Sequence, residues 1–445
     1  MDWIRNRLTQ FAERTAFYSG DSALSYASLT QRIDSLIDYL QTDLGTGNQV
    51  IAVEEANPAD NLAAVIALSS LGKTILPISP QSPEKEKQYR IGRVEWTLHN
   101  RKLRRKTASA EPHPLLNKLG QSGHPGLILF SSGSTGSPKA MLHDLKLLLD
   151  RYESLAARSD RTLQLLPLDH IGGLDAALRT LCSGSAIVIP EARTPESAGH
   201  AIAKHQVSVL PASPTFLNLM LLTGVAHSSD LSSLRVIAYG AEPMPFSLLQ
   251  KLKAAFPEVD LQQKFGTSET GAIRIKSAGS GKLNFSIKDR DADWKIVDGE
   301  LWLQSSSRIL GYLNSDADNS SLLLDGWFRT GDLIEEDKDG SLRIIGRRAD
   351  LINVGGEKVA PIEVESILME MPAIADCLVY AEENAITGQI VVAQIVPQGE
   401  YETVQLKRAI KKHCRKRLAT YKIPARIQIT EKTKYSDRLK KLRSQ

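Results

Sequence analysis

The sequence predicts an α/β fold in three parts: a large N-terminal domain of α/β layers, a β-rich subdomain, and a small α+β domain at the C-terminal side. Three observations carry this. Apolar strand-like runs alternate with helical patterns through the body, the signature of α/β organisation. Short strands of alternating polarity with tight turns begin near Asp293. After Arg347 the pattern changes again, to a helix, two strands, a basic helix and a last strand.

Taken in order, Gly126-Leu127-Ile128-Leu129-Phe130, Ala186-Ile187-Val188-Ile189 and Val207-Ser208-Val209-Leu210 read as buried strands, the last two separated by a segment long enough for a helix. The stretch Trp294-Lys295-Ile296-Val297-Asp298-Gly299-Glu300-Leu301-Trp302-Leu303 reads as a hairpin around Asp298-Gly299 and places the β-rich subdomain at about 290–345. Ile362 to Met371 reads as a helix, Ala375 to Ala381 and Gln389 to Pro397 as strands, Thr403 onward as a basic helix, and Arg426 to Ile429 as a final strand. This gives an N-terminal domain over 1–349 and a C-terminal one over 350–445.

Composition sets the class. With 445 residues, 42% hydrophobic and 24% charged, the chain is globular and has room for two or three domains. Met1-Asp2-Trp3-Ile4-Arg5 lacks the features of a secretory signal, and no apolar run is long enough to span a bilayer, so a cytoplasmic protein without a membrane span is expected. Cys182, Cys377 and Cys414 lie too far apart for a metal knot or a disulfide framework. Net charge is +4, but residues 405–445 hold fifteen Lys and Arg against Glu431 and Asp437. That tail reads either as a solvated helix face or as a module that meets an anion. Nucleic acid is not expected, since Tyr421 and Tyr435 are its only aromatics and it carries no binding motif. The run Arg101-Lys102-Leu103-Arg104-Arg105-Lys106 reads as a solvated loop.

The segment Ser131-Ser132-Gly133-Ser134-Thr135-Gly136-Ser137-Pro138-Lys139 directly follows a strand. Closely spaced glycines let backbone N–H groups turn toward a phosphate, hydroxyls add donors, and a lysine adds a point charge. The Walker spacing is not met, because Pro138 and Ala140 flank the lysine. A plain Ser/Gly turn is the alternative.

This loop resembles the phosphate signature of the adenylate-forming superfamily, which includes acyl- and aryl-CoA synthetases, peptide-synthetase adenylation domains and luciferases. Further motifs follow in the same order. Tyr239-Gly240-Ala241-Glu242-Pro243 resembles the adenine-side motif, Phe265-Gly266-Thr267-Ser268-Glu269-Thr270 the aromatic-Gly-Thr-Ser-Glu motif, and Trp327-Phe328-Arg329-Thr330-Gly331-Asp332 the ribose motif. The stretch from Gly346-Arg347 through Asp350 to Val354-Gly355-Gly356-Glu357-Lys358 is similar to the family's hinge and the start of its mobile C-terminal domain. The pattern covers almost the whole chain and is most like a short acyl- or aryl-CoA ligase.

The resemblance implies ATP, Mg²⁺ and CoA or a phosphopantetheine arm as cofactors, with a small carboxylic acid activated as its acyl-AMP and passed to a thiol. Glu269 would ligate Mg²⁺, Thr267 and Ser268 would lie near the α-phosphate, and Lys139 would serve the polyphosphate. Asp332 would accept from the ribose hydroxyls and Arg347 would add a second contact; Asp332 also reads as a turn residue after Gly331. Asp350 would be the pivot of domain rotation. Gly355 and Gly356 would line the thiol channel, although two glycines after Val354 also read as a hairpin turn.

His170 falls at the gating position of the acid site, and Ile171 stands where amino-acid-activating relatives carry an aspartate, which disfavours an α-amino acid. Asp175 and Tyr239 are further pocket candidates; Asp175 reads equally as a surface or helix-start carboxylate. The family's terminal catalytic lysine is missing from its place: Asp437 aligns there, with Lys434, Arg438 and Lys440 as neighbouring cations. Three functions follow: a carboxylic acid:CoA ligase, a stand-alone enzyme loading an acidic acyl carrier protein, and a degenerate nucleotide-binding protein.

Overall fold

The computed structural model describes residues 2–106, 113–131, 138–315, 319–320, 323–431, 433 and 441. Two seven-stranded sheets form the body. In the first, the parallel strands Gly126–Ser131, Thr74–Pro77, Val50–Val53 and Trp96–His99 are neighbours in that order. Antiparallel strands extend both edges: Lys139–Asp144 and then Gly311–Tyr312 on one side, Lys102–Arg105 on the other. The central strands are apolar and buried on both faces, as parallel strands covered by helices must be.

The second sheet runs Asp260–Gln263, Val236–Tyr239, Val209–Ala212, Arg161–Leu163, Ala186–Ile189, Thr15–Ser19 and Ser22–Ser25, parallel except for the last hairpin. Helices sit on these sheets for legible reasons. Tyr26–Asp43 is capped by Ser25, whose side chain accepts from the Ser28 amide, and buries Tyr26, Leu29, Ile33, Leu36 and Leu40 at helical spacing. Helices Pro58–Ser70, Pro195–His205 and Pro214–Leu222 each follow an Asn, Thr or Ser cap and place proline in the first turn, where its missing N–H costs nothing.

The third sheet is antiparallel and covers the β-rich region, with Ala292–Val297 and Glu300–Ser305 paired as expected around Asp298-Gly299. It takes in Ile275–Ser277 and Phe285–Ile287, upstream of the expected start, because their short alternation is too weak to read without the partner strand Leu342–Arg347. The C-terminal sheet holds Ile352–Val354, Glu357–Val359, Ile374–Asn384, Gly388–Pro397 and Arg426–Ile429. Helices Pro361–Leu368 and Thr403–Arg415 close its core through Val364, Leu368, Leu406, Ile410 and Cys414.

Two expectations are corrected. The basic run at 101–106 is not a loop: Lys102–Arg105 is an edge strand, its register fixed by Leu98 opposite Leu103 and by the Arg105 guanidinium 5.8 Å from the Trp96 ring centroid. Charged side chains are what an exposed sheet edge tolerates, so composition concealed the strand. The strand expected from Val207 begins at Val209, because the amide of Ser208 bonds the Arg161 carbonyl before the ladder starts. Among the described residues no helix is long and apolar enough to cross a membrane, and all three cysteines are free and buried.

Candidate active site

The site is assembled where the two body sheets meet the third. Strands Gly126–Ser131 and Lys139–Asp144 pair so that Ser131 faces Lys139 across the ladder, and the phosphate-loop residues Ser132, Gly133, Ser134, Thr135 and Gly136 lie outside the described residues. Both arms of that loop are therefore anchored in the sheet. Asn314 braces the second arm, donating to the Pro138 carbonyl at 2.9 Å and accepting from the Ala140 amide at 2.9 Å.

Phe265–Thr267 and Gly271–Ile273 form a small hairpin whose tip carries Ser268, Glu269 and Thr270. Thr267 Oγ1 accepts from the amides of Glu269 and Thr270, at 3.2 and 3.0 Å, which fixes the tip as a tight turn. The Ile309 amide holds the Glu269 carbonyl at 2.7 Å. Glu269 Oε1 accepts from the Tyr312 hydroxyl at 3.0 Å, and the Lys139 ammonium lies 5.9 Å from the centroid of that same ring. Glu269 and Lys139, 130 positions apart in the sequence, are thus bracketed around Tyr312.

The ribose-side pair comes from neighbouring strands. Asp332 in Trp327–Glu336 stands directly opposite Arg347 in Leu342–Arg347, with Nε to Oδ1 at 2.9 Å. Burial lifts the Asp332 carboxyl above its ordinary range and Arg347 opposes that lift; Asp332 in turn raises the guanidinium. Both line a cleft with Gly240, Ala241, Phe265 and Gly266. Ala241 has φ of 72°, a left-handed conformation that costs a non-glycine residue about 1 kcal/mol or more and is kept where surroundings impose it. Gly240 is obligatory: a Cβ there would meet the Lys264 carbonyl oxygen at 2.7 Å. Glu242 turns aside, accepting from the Thr215 amide at 2.7 Å in the first turn of helix Pro214–Leu222. Tyr239 lines the cleft but is almost wholly buried in the core beneath it, and burial pushes its hydroxyl up to about 12.

His170 caps helix Ile171–Cys182 in extended conformation without a side-chain cap bond, its Nε2 3.6 Å from Asp169 Oδ1. Ile171 opens the helix. Asp175, one turn in, is engaged on one oxygen by the Tyr152 hydroxyl at 2.6 Å and Arg179 at 3.5 Å, so it is neither a surface nor a helix-start carboxylate. The helix packs against Gly271–Ile273, which brings this network beside the Glu269 hairpin.

Sequence reasoning missed several residues. Tyr312 and Asn314 lie outside every motif. Glu300, almost wholly buried, accepts from the Gly331 amide at 3.0 Å and pairs with Arg329 and Arg348 at 3.2 and 3.1 Å, fixing the turn before Asp332 and the segment before Asp350. His143, fully buried on the Lys139–Asp144 strand, is pushed down to about 4 by burial, opposed by backbone hydrogen bonding at Ser307 and Ser268. Only its place four residues after Lys139 could have marked it.

Asp350 ends a short 3₁₀ turn, Arg348–Asp350, between the last strand of the third sheet and the first of the C-terminal sheet. Gly355 and Gly356, with φ of 61° and 96°, make the two-residue turn between Ile352–Val354 and Glu357–Val359, so the hairpin reading holds for their backbone. Lys434, Arg438, Lys440 and Asp437 lie outside the described residues. Lys441 is described and turns into its own domain, 2.9 Å from Asp376 Oδ1, whose other oxygen accepts from Thr433 at 2.5 Å.

A carboxylate opposite a guanidinium, a glycine–alanine turn that admits a planar group, and a glutamate beside the anchored arms of a Ser/Gly loop define a site for a nucleoside polyphosphate. Among the described residues no three His, Cys, Asp or Glu side chains converge on a metal position. Mg²⁺ suits such a site, because it binds through one or two carboxylates plus substrate phosphates, and Glu269 fits that donor role.

The chain belongs to the AMP-binding enzyme family: the family model matches residues 4–313 and the AMP-binding enzyme C-terminal domain matches 363–438. It is 25% identical to 2-succinylbenzoate–CoA ligase of Bacillus subtilis, over 100% of this chain and 97% of that protein. It is 26% identical to indoleacetate–CoA ligase of Aromatoleum aromaticum, over 96% and 93%. Among solved structures, an anthranilate CoA ligase in complex with anthranoyl-AMP superposes with a TM-score of 0.83 at 21% identity, over 97% of this chain and 94% of that one.

Proposed function

We propose that this chain activates an aromatic carboxylic acid as its acyl-AMP, with release of pyrophosphate, and transfers the acyl group to the thiol of CoA. Two juxtapositions within a chain of this family carry it: Glu269 and Lys139 on either side of Tyr312, and Asp332 paired with Arg347 on the cleft wall. The relatives named as ligases of 2-succinylbenzoate and indoleacetate support an aromatic acid.

A carboxylate is a weak nucleophile toward the α-phosphate, and the step needs charge neutralised and reactants held in line. Asp332 and Arg347 hold the ribose and fix the nucleotide's direction. Lys139 and the loop amides take the β- and γ-phosphate charge, and Thr267 and Ser268 stand by the α-phosphate. Mg²⁺, when bound through Glu269, spreads the charge of the phosphate oxygens and improves pyrophosphate as a leaving group. Tyr312 orients the Glu269 carboxylate. His170 and Ile171 border the acid, and Ile171 offers no partner to an α-ammonium.

For the second half-reaction, rotation at Asp350 between units 1–349 and 350–445 would bring the Gly355-Gly356 hairpin to the site as the wall of the thiol channel. Pyrophosphate exchange over a panel of acids, followed by thioester formation with CoA, tests the reading. Exchange with none of them would leave a nucleotide-binding protein without turnover. A cytoplasmic setting, where ATP and CoA are available and Cys182, Cys377 and Cys414 stay reduced, agrees with this role.

One observation favours a carrier protein as a second acceptor. Arg408, Lys411, Lys412, Arg415 and Lys416 are exposed along and just beyond helix Thr403–Arg415, and none forms an ion pair with a described residue. Such a row suits an acidic partner. Charge reversal at Arg415, Lys416 and Arg417 should slow acyl transfer to a carrier protein, with added salt mimicking the effect and adenylation unchanged. With CoA as acceptor the change should be smaller and confined to its Michaelis constant.

A further inference from the structure

Two consecutive residues, Arg151 and Tyr152, hold parts of the site that lie far apart in the sequence. They follow helix Leu145–Asp150, which continues directly from strand Lys139–Asp144, the second arm of the Ser/Gly loop. The Arg151 side chain is only 9% exposed, and its guanidinium is spread over three partners. Nη1 donates to the Ala272 carbonyl and lies 3.3 Å from Ser307 Oγ, while Nη2 pairs with Asp289, whose side chain is 1% exposed. The Arg274 amide donates to the same Asp289 oxygen at 2.8 Å.

These bonds grip the Glu269 hairpin and the segment that braces it. Ala272 lies in the return arm of the hairpin. Ser307 donates to the Thr270 carbonyl at 3.0 Å and belongs to the stretch leading to Tyr312, which holds the Glu269 carboxylate. A Cβ on Gly271 would meet Leu148 at 3.2 Å and Ser307 at 3.3 Å, so the helix before Arg151 is in direct contact with the hairpin. Tyr152 serves a different element. Its hydroxyl donates to Asp175 Oδ1 on helix Ile171–Cys182 at 2.6 Å, and Arg179 of that helix lies 3.5 Å from the same oxygen. Burial raises the Tyr152 hydroxyl well above its ordinary range, so it stays a donor. The helix it holds packs in turn against strand Gly271–Ile273.

A buried ion pair is weak support for stability, because desolvation offsets the attraction, so the Arg151–Asp289 pair is better explained by the geometry it imposes. A planar fork of donors lets one side chain fix a carbonyl, a hydroxyl and a carboxylate together, which an ammonium cannot do. We propose that Arg151 and Tyr152 are a positioning pair: Arg151 sets the hairpin that presents Glu269 to the metal, Tyr152 sets the helix that His170 and Ile171 head toward the acid, and their adjacency in the chain fixes the offset between the two. Both act through other residues. The proposal rests on the acid-activating reading above and adds to it how nucleotide and acid are brought into line.

The test reads the two arms separately in the full chain. Mn²⁺ binding in the presence of α,β-methylene-ATP, followed by electron paramagnetic resonance, reports the metal site without turnover, and pyrophosphate exchange gives KM for the best acid of a panel. Arg151→Met combined with Asp289→Asn removes both charges and leaves an acceptor for the Arg274 amide. It should weaken Mn²⁺ binding by about tenfold or more and leave KM for the acid within about twofold. Arg151→Lys keeps the charge without the fork and should weaken Mn²⁺ binding as well. Tyr152→Phe should raise KM for the acid at least about fivefold with Mn²⁺ binding unchanged. Thermal unfolding of each variant controls for loss of fold. Unmoved Mn²⁺ binding in both Arg151 variants overturns the proposal, as do both readouts weakening together in every variant in step with the unfolding temperature. A wild-type enzyme that exchanges with no acid overturns the acid-activating reading and the Tyr152 half with it, while the Mn²⁺ titration still decides Arg151.

Discussion

Glu269 and His143 illustrate how differently two polar side chains act within one hairpin's reach. Among the described residues Glu269 is bonded through Oε1 to Tyr312, so Glu269→Gln should remove the proposed anionic Mg²⁺ ligand without disturbing the turn that Thr267 builds. Acyl-AMP formation should fall by roughly 10²-fold with the unfolding transition unmoved, and unchanged pyrophosphate exchange would remove Glu269 from the metal site. His143 acts on stability. Its folded pKa is about 4 against 6.5 for the ordinary group. Between those values the unfolded chain binds a proton that the folded chain refuses, so stability is lost as pH falls through that window. The loss approaches roughly 3 kcal/mol at its acid end. Urea unfolding at pH 7 and pH 5 should show this dependence in the native chain and a flatter one in His143→Gln; parallel slopes would refute it.

At the scale of elements, the site depends on how closely neighbouring strands approach. Strand Val236–Tyr239 pairs with Asp260–Gln263, and the two chains stay close beyond the ladder, where the Lys264 amide donates to the Tyr239 carbonyl at 2.7 Å on the cleft wall. Gly240→Ala sets a Cβ 2.7 Å from a backbone carbonyl, which no side-chain rotation relieves. The strand end must move, and on the proposal that the same turn receives the base, KM for ATP should rise at least about tenfold with a smaller change in kcat. An unaltered KM would mean that the base lies elsewhere. The hairpin was legible from its Asp298-Gly299 turn, and the body strands Gly126–Ser131 and Ala186–Ile189 from their apolar runs. The edge strand Lys102–Arg105 was not, because its residues are chosen for exposure rather than for pairing.

Across the whole molecule, long hydrogen bonds between described residues link the C-terminal domain to the body. Asn218 donates to the Ala375 carbonyl at 3.4 Å, the Phe246 amide to Ser366 at 3.3 Å, and the Lys441 amide to Glu242 at 3.5 Å. Such bonds are long and near the weak end of the range, which suits the domain rotation proposed above. Asp350→Pro fixes φ at the junction and should slow thioester formation several-fold more than adenylation. Single-turnover measurement of the two half-reactions checks this, and equal losses would place the pivot elsewhere. Lys441, drawn to Asp376 and the Cys377 carbonyl, is spent inside its own domain.

By itself the sequence determined the order of layers and the chemistry available, because caps, turn glycines and motif residues act through local backbone preferences that need no partner. It also marked Asp332 and Arg347, though not that they face each other. Only the tertiary structure decided which groups are satisfied. Tyr312 reaches Glu269, Glu300 gathers Arg329 and Arg348, and Tyr152 occupies Asp175, each across dozens of residues. Whether a charge is paired depends on what packs against it rather than on its neighbours in the chain.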